Sequence, residues 1–200
     1  MFGINASGKD TIAAEIKKRN SKIQITSESR LLMFHLGYIS NFNSEIPIDK
    51  SAYKKLENTS QDKIKKITKT TYKKTLESFK NSKTEYFLLS HLVFVLTVAK
   101  NIPTYLNDRE IPEWYKDVGS KFIQIVCDPG EILKRRQKDK KNGTRDRGNM
   151  DSFEEINKHQ GLCDLKWKKF THNLPTKTYI TITNNNLKTT VDLVNNFIKK

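Results

Sequence analysis

The spacing of apolar positions changes several times along the chain, and each change marks an element. Four short runs are rich in β-branched and aromatic residues: 22–27 (KIQITS), 86–90 (YFLLS), 121–127 (KFIQIVC) and 177–183 (KTYITIT). IQIT and YITIT alternate as half-buried strands do, while FLL and FIQIV read as strands covered on both faces. The stretches between them carry the helical period. Residues 9–19 put Ile12, Ala13 and Ile16 on one face, and 60–79 put Ile64, Ile67, Tyr72 and Leu76 on one face. Residues 130–138 bring in Ile132 and Leu133 directly after the third run. A further helix is predicted over 151–170, capped by Asp151 or Ser152 with Glu154 and Glu155 in its first turn, and 189–199 closes the chain. Strands alternating with helices predict an α/β fold with a parallel sheet. Residues 139–149 (DKKNGTRDRGN) hold two glycines and no apolar residue, and predict a mobile loop. With 200 residues and no internal repeat, a single domain over 1–200 is expected.

Charge adds a partner class. Lys and Arg number 37 against 22 Asp and Glu, a net charge of +15, and such a field attracts nucleotides, nucleic acid or acidic membranes. The lysines are scattered in pairs, such as 17–18, 54–55, 65–66 and 73–74, which reads as a solvated surface. Nucleic-acid binding is therefore a secondary expectation. The two cysteines, Cys127 and Cys163, lie in no metal-ligand spacing and cannot build a disulfide framework. Cys127 ends an apolar run and reads as a core residue. No signal-peptide core is visible, and the longest apolar run, FLLSHLVFVLTVA, is interrupted by Ser90 and His91, short of the ~18 residues a membrane span needs. A reducing, cytoplasmic setting without a membrane is the expectation.

The chemistry begins at the N-terminus. In GINASGKDT, Gly3, Gly8 and Lys9 satisfy G-x4-G-K, with Thr11 one place later than the usual hydroxyl. A loop of small residues (Gly3, Asn5, Ala6, Ser7, Gly8) lets backbone N–H groups converge on phosphate oxygens, and the helix opening at Lys9 aims its positive end at the same point. Lys9 then reaches the β- and γ-phosphates, and Asp10 or Thr11 offers oxygen to Mg²⁺. The plain alternative is a glycine turn that only caps a helix. A second group of charges lies in EILKRRQKDKKNGTRDRGNMDSFEEINKHQ. Arg135 and Arg136 end a helix, and Arg145 and Arg147 sit in the loop beyond it. Arginines on a hinged loop can close over a γ-phosphate, neutralise its developing charge and exclude water; the alternative is a solvated basic loop.

Taken together, GKDT, EILKRRQKD…RDRG and INKHQ (156–160) resemble the phosphate loop, lid and post-lid helix of archaeal-type adenylate kinases and their nucleoside-monophosphate kinase relatives. The resemblance runs from Gly3 to Gln160. It implies a P-loop α/β fold whose first strand lies mid-sheet, a monophosphate-binding helical segment over about 28–82, and a short lid over about 137–150. It implies transfer from Mg-ATP to AMP, giving two ADP. Lys9, Arg136, Arg145 and Arg147 would act on the transferring group. Ser27, Ser29, Arg30, Lys54 and His91 would serve the acceptor. The chain departs from the pattern in four places. Ala6 replaces the loop's second glycine, Leu89 or Ser90 stands where the family has a strand-end Asp, Gly148 follows Arg147, and Lys54 replaces an arginine. Only Met1 and Phe2 precede Gly3, whereas a strand takes about five residues. Either the strand begins upstream of this methionine, or the sheet has a gap.

Other residues have two readings each. Arg30, just past the second run, fits an acceptor phosphate or an exposed position beside a helix cap. His91 faces a cleft or the core. His159–Gln160 packs under the lid, and Trp114 and Trp167 read as core aromatics. Two other functions remain open: a kinase with a different acceptor, and a nucleotide-binding regulatory or RNA-associated protein with little turnover.

Overall fold

A computed structural model describes residues 1–4, 6–43, 48–67, 73–80, 85–89, 115–118, 121–143 and 152–200. The four apolar runs are strands, each slightly trimmed: β1 (Gln24–Ser27), β2 (Tyr86–Leu89), β3 (Phe122–Val126) and β4 (Tyr179–Thr183). They form two parallel pairs. β1 runs beside β2 from Gln24 opposite Tyr86 to Ser27 opposite Leu89. β3 runs beside β4 from Phe122 opposite Tyr179 to Val126 opposite Thr183. Met1 and Phe2 lie between the pairs. The Met1 amino group donates to the Leu88 carbonyl at 2.7 Å. On the other side, Phe2 N donates to Ile123 O at 2.7 Å and Ile125 N to Phe2 O at 2.8 Å. The strand order is therefore β1–β2–(Met1, Phe2)–β3–β4, with Met1 and Phe2 at the central position.

The side-chain period of two decides what each face buries. Ile25, Ile123, Ile125 and Ile182 face helices α1 (Lys9–Arg19) and α9 (Leu187–Lys199), where Ile12, Ala13, Ile16, Val191 and Val194 close one core. On the other face Phe2 and Phe122 meet Leu31 of α2 (Glu28–His35), Ile132 of α7 (Pro129–Lys141), and Ile156, Cys163, Trp167 and Phe170 of α8 (Phe153–Thr171). Cys127 is buried there too, as its position in the run predicts, and Trp167 is a core aromatic whose Nε1–H donates to Thr181 Oγ1 at 2.9 Å. Trp114 lies outside the described residues. Helix α3 (Lys50–Glu57) adds Ala52 and Leu56 to Leu32 and Met33 of α2 in a third cluster.

Boundaries differ from the sequence expectation where caps decide them. The 60–79 helix is seen as α4 (Gln61–Ile67) and α5 (Lys73–Lys80), with residues 68–72 outside the described set. A short α6 (Tyr115–Val118) precedes β3. Helix α7 starts at Pro129, because the Asp128 carboxylate accepts from Glu131 N at 3.1 Å, and it continues to Lys141. The first part of the expected lid and loop, up to Lys141, is thus helix. An apolar face is not needed there, since Lys, Gln and Arg are good helix formers and cations in a last turn suit the helix dipole. Ser152 caps α8 in a reciprocal box with Glu155. Asn186 caps α9, which therefore opens at Leu187. Among the described residues no helix is long and apolar enough to cross a membrane.

Candidate active site

The candidate phosphate loop, residues 3–9, runs from the mid-sheet position into α1. Its glycines are there for space and for backbone conformation. A Cβ on Gly3 would lie 2.6 Å from Ser7 Oγ and 2.7 Å from Ile125 O. Gly8 has φ +94°, and a Cβ there would fall 2.3 Å from Asn184 Nδ2. Ala6 is left-handed as well, at φ 67°, which costs an L-residue about 1–2 kcal/mol and is the kind of strain held at functional loops. Asn5 lies outside the described residues.

Two outside groups hold the loop. Arg135 Nη1 donates to Ala6 O at 3.2 Å, and Asn184 Nδ2 donates to Ser7 O at 2.8 Å. Within the loop, Ser7 N donates to Ile4 O at 3.2 Å. Ser7 is fully buried, and its Oγ has no hydrogen-bond partner among the described residues. Helix α1 starts at once, with Ile12 N bonded to Gly8 O at 2.9 Å, so the N–H groups of Lys9, Asp10 and Thr11 have no intrahelical acceptor. Lys9 is buried, with Nζ 3.9 Å from the Asp10 carboxylate, while Asp10 and Thr11 are exposed.

The predicted arginine pair divides. Arg135 lies against the loop. Arg136 is buried in α7 beside His159 of α8, whose imidazole is pushed down to about 4 by burial and then by the Arg136 charge. His159 and Gln160 are both buried, and Gln160 Nε2 donates to Asp164 Oδ1 at 2.9 Å. Arg145, Arg147 and His91 lie outside the described residues.

Of the residues expected to serve an acceptor, Ser27 caps α2: its Oγ accepts from Arg30 N at 3.3 Å and lies 3.1 Å from Ser29 Oγ. The Arg30 side chain donates to Asn43 O at 2.8 Å, and burial holds its guanidinium below the usual range. Ser27, Ser29 and Arg30 are thus together at the end of β1, whereas Lys54 is exposed on α3.

Sequence reading named Arg135 without giving it a role, and missed Asn184 and Glu28. Glu28 directly follows β1, is buried, accepts a hydrogen bond from Tyr115 Oη–H, and shares with Lys9 an electrostatic influence on the Met1 amine. A carboxylate right after a strand end was a visible signal. The Asn184 contact spans 177 positions and gave none.

The fold, parallel strands flanked by helices with a loop leading from mid-sheet into the first helix, is similar to that of a solved nucleoside kinase. Solved structures that match include a deoxyadenosine kinase from M. mycoides, with products dCMP and a flexible dCDP bound. Identity to it is 17%, over 100% of this chain and 99% of that one, with a TM-score of 0.50. No family model and no curated protein matches the chain.

Proposed function

We propose that the chain transfers the γ-phosphoryl group of ATP to a nucleoside monophosphate, AMP first, forming two ADP. The observation that carries this is the loop from Gly3 to Lys9, strained at Ala6, pinned from outside by Arg135 and Asn184, and leading into the N-terminus of α1. The N–H groups there receive β- and γ-phosphate oxygens, and Lys9 adds the side-chain cation. Asp10 and Thr11 are exposed oxygen donors in the first turn, which fits the one or two protein ligands Mg²⁺ takes beside phosphates and water. When bound with ATP, the ion supplies charge neutralisation across the phosphates. Arg136, Arg145 and Arg147 stabilise the transferring group by resemblance, and Arg135 joins them by position. Ser27, Ser29 and Arg30 hold the acceptor phosphate, with Lys54 and His91 on the same side by resemblance. An acceptor phosphate is already anionic and needs no base.

One observation favours a second acceptor. A nucleoside hydroxyl must lose its proton, and Glu28 is a buried carboxylate on the acceptor side of Lys9. A coupled ADP-formation assay with monophosphates and nucleosides decides between them. Lys9→Ala is expected to abolish turnover with every acceptor and to weaken ATP binding; unchanged turnover would rule the site out. Glu28→Gln is expected to lower nucleoside phosphorylation by about 10²-fold or more and to spare monophosphates. An equal loss on both would remove Glu28 from the chemistry.

A further inference from the structure

We infer that Asn184 is a positioning residue that sets the phosphate loop for binding. This rests on the reading of residues 3–9 as a phosphate site. The side chain is buried at 4% exposure and both ends of its amide are used. Nδ2 donates to Ser7 O at 2.8 Å, and Oδ1 accepts from Thr190 Oγ1 at 3.2 Å. Thr190 is itself buried in the first turn of α9, and its hydroxyl also lies 2.8 Å from Asn186 O. The backbone of Asn184 is equally fixed. Its N–H donates to Val126 O at 2.7 Å, and its carbonyl accepts from Cys127 Sγ at 3.6 Å. The amide therefore projects from a rigid corner where β3, β4 and α9 meet.

In a planar trans peptide the C=O and the N–H point in opposite directions. Pinning the Ser7 carbonyl to Asn184 turns the Gly8 N–H away from Asn184, at the point where the chain enters the first turn of α1. Arg135 pins the preceding carbonyl, of Ala6, and that peptide's N–H turns inward to Ile4 O. The division is clear: one loop N–H closes the turn, and the next is left for a ligand. The space that Gly8 leaves open is occupied by the Asn184 amide. A residue 177 positions away thus fixes the peptide orientation that a phosphate oxygen meets.

The test uses the full chain and two ligands, ATP and inorganic tripolyphosphate. Asn184→Asp keeps the shape but replaces the donor with a carboxylate facing a carbonyl. It is expected to weaken both ligands about tenfold or more and by a similar factor, with the circular dichroism spectrum and the acceptor KM unchanged. A loss confined to ATP would make Asn184 a base contact and overturn the inference. Wild-type affinity for both ligands would overturn it too. Should Asn184→Asp fail to fold, Thr190→Val removes only the group that orients the amide. That variant is expected to weaken both ligands about threefold, while Thr190→Ser restores them. Wild-type affinity in Thr190→Val would count against the inference. Lys9→Ala is the reference. If it binds ATP normally, the phosphate site itself is refuted. If it loses ATP while Asn184→Asp and Thr190→Val do not, only the positioning role fails.

Discussion

Gly8 carries two constraints that can be separated. Its φ of +94° penalises any L side chain, and a Cβ there would press on the amide that pins Ser7. Gly143 has only the first constraint: φ is +64° and nothing lies within 4 Å of the position a Cβ would take. Both glycine-to-alanine changes are therefore expected to destabilise the chain by about 1–2 kcal/mol through backbone strain. Only Gly8→Ala is expected to weaken ATP binding as well, by about tenfold or more, as Asn184 is displaced. Denaturant midpoints and calorimetric titration with ATP read the two effects independently. Equal ATP affinity in the two variants would mean that the space beside Gly8 is irrelevant to binding.

At the scale of elements, the packing of α7 on α8 explains what the sequence showed and what it hid. Ile132 and Arg136 are four residues apart and share the buried face of α7, so applying the helical period to the RR pair places Arg136 inside. The motif resemblance alone assigns it to the transferring group. The α8 helix, its cap at Ser152 and the buried Ile156, His159 and Gln160 of INKHQ were legible because each depends on neighbours within about one turn. The same holds for the four strands and for α1. The Asn184–Ser7 and Tyr115–Glu28 bonds were not, since each joins segments whose proximity only the assembled sheet determines. The interface also makes a prediction about pH. His159, ordinarily 6.5, is pushed down to about 4, so the folded state refuses a proton that the unfolded chain accepts. The stability from its burial is present above pH 6.5 and lost as pH falls towards 4, about 3 kcal/mol in all. Arg136→Gln removes the smaller of the two causes, so the His159 imidazole should titrate at higher pH and the acid loss should shrink. Nuclear magnetic resonance titration of the ring measures this directly. A wild-type His159 titrating near pH 6.5 would contradict its burial.

Over the whole molecule, the two strand pairs meet through Met1 and Phe2. The Phe2 ring packs at 5.5 Å from Trp167 and 6.0 Å from Tyr115 and Phe170, tying the sheet to α6 and α8. The Met1 amine is the unusual member of this junction. In a chain whose Met1 amine is free, the group is wholly buried and pushed down from 8.0 to about 5 by burial; the Glu28 charge opposes that and the Lys9 charge adds to it. Below pH 8 the unfolded chain takes up a proton that the fold resists. The contribution is fully present above pH 8 and is lost as pH falls to about 5, some 4 kcal/mol in total. Among the described residues, His159 and His35, both lowered from 6.5 by burial, act chiefly below that value, so the window from pH 8 to 6.5 is dominated by the amine. Across it about 2 kcal/mol should disappear, lowering the Tm by roughly 4–8 °C for a chain of this size. The net charge of +15 offers a competing cause, because protonation adds to a repulsive field. Salt separates them: at 1 M the Debye length is about 3 Å, which screens surface repulsion but not the cost of burying a charged amine. Melting curves at pH 8, 7.25 and 6.5 in 1 M NaCl should keep the slope. A flat Tm in high salt would assign the slope to surface charge and refute a buried neutral amine at the junction.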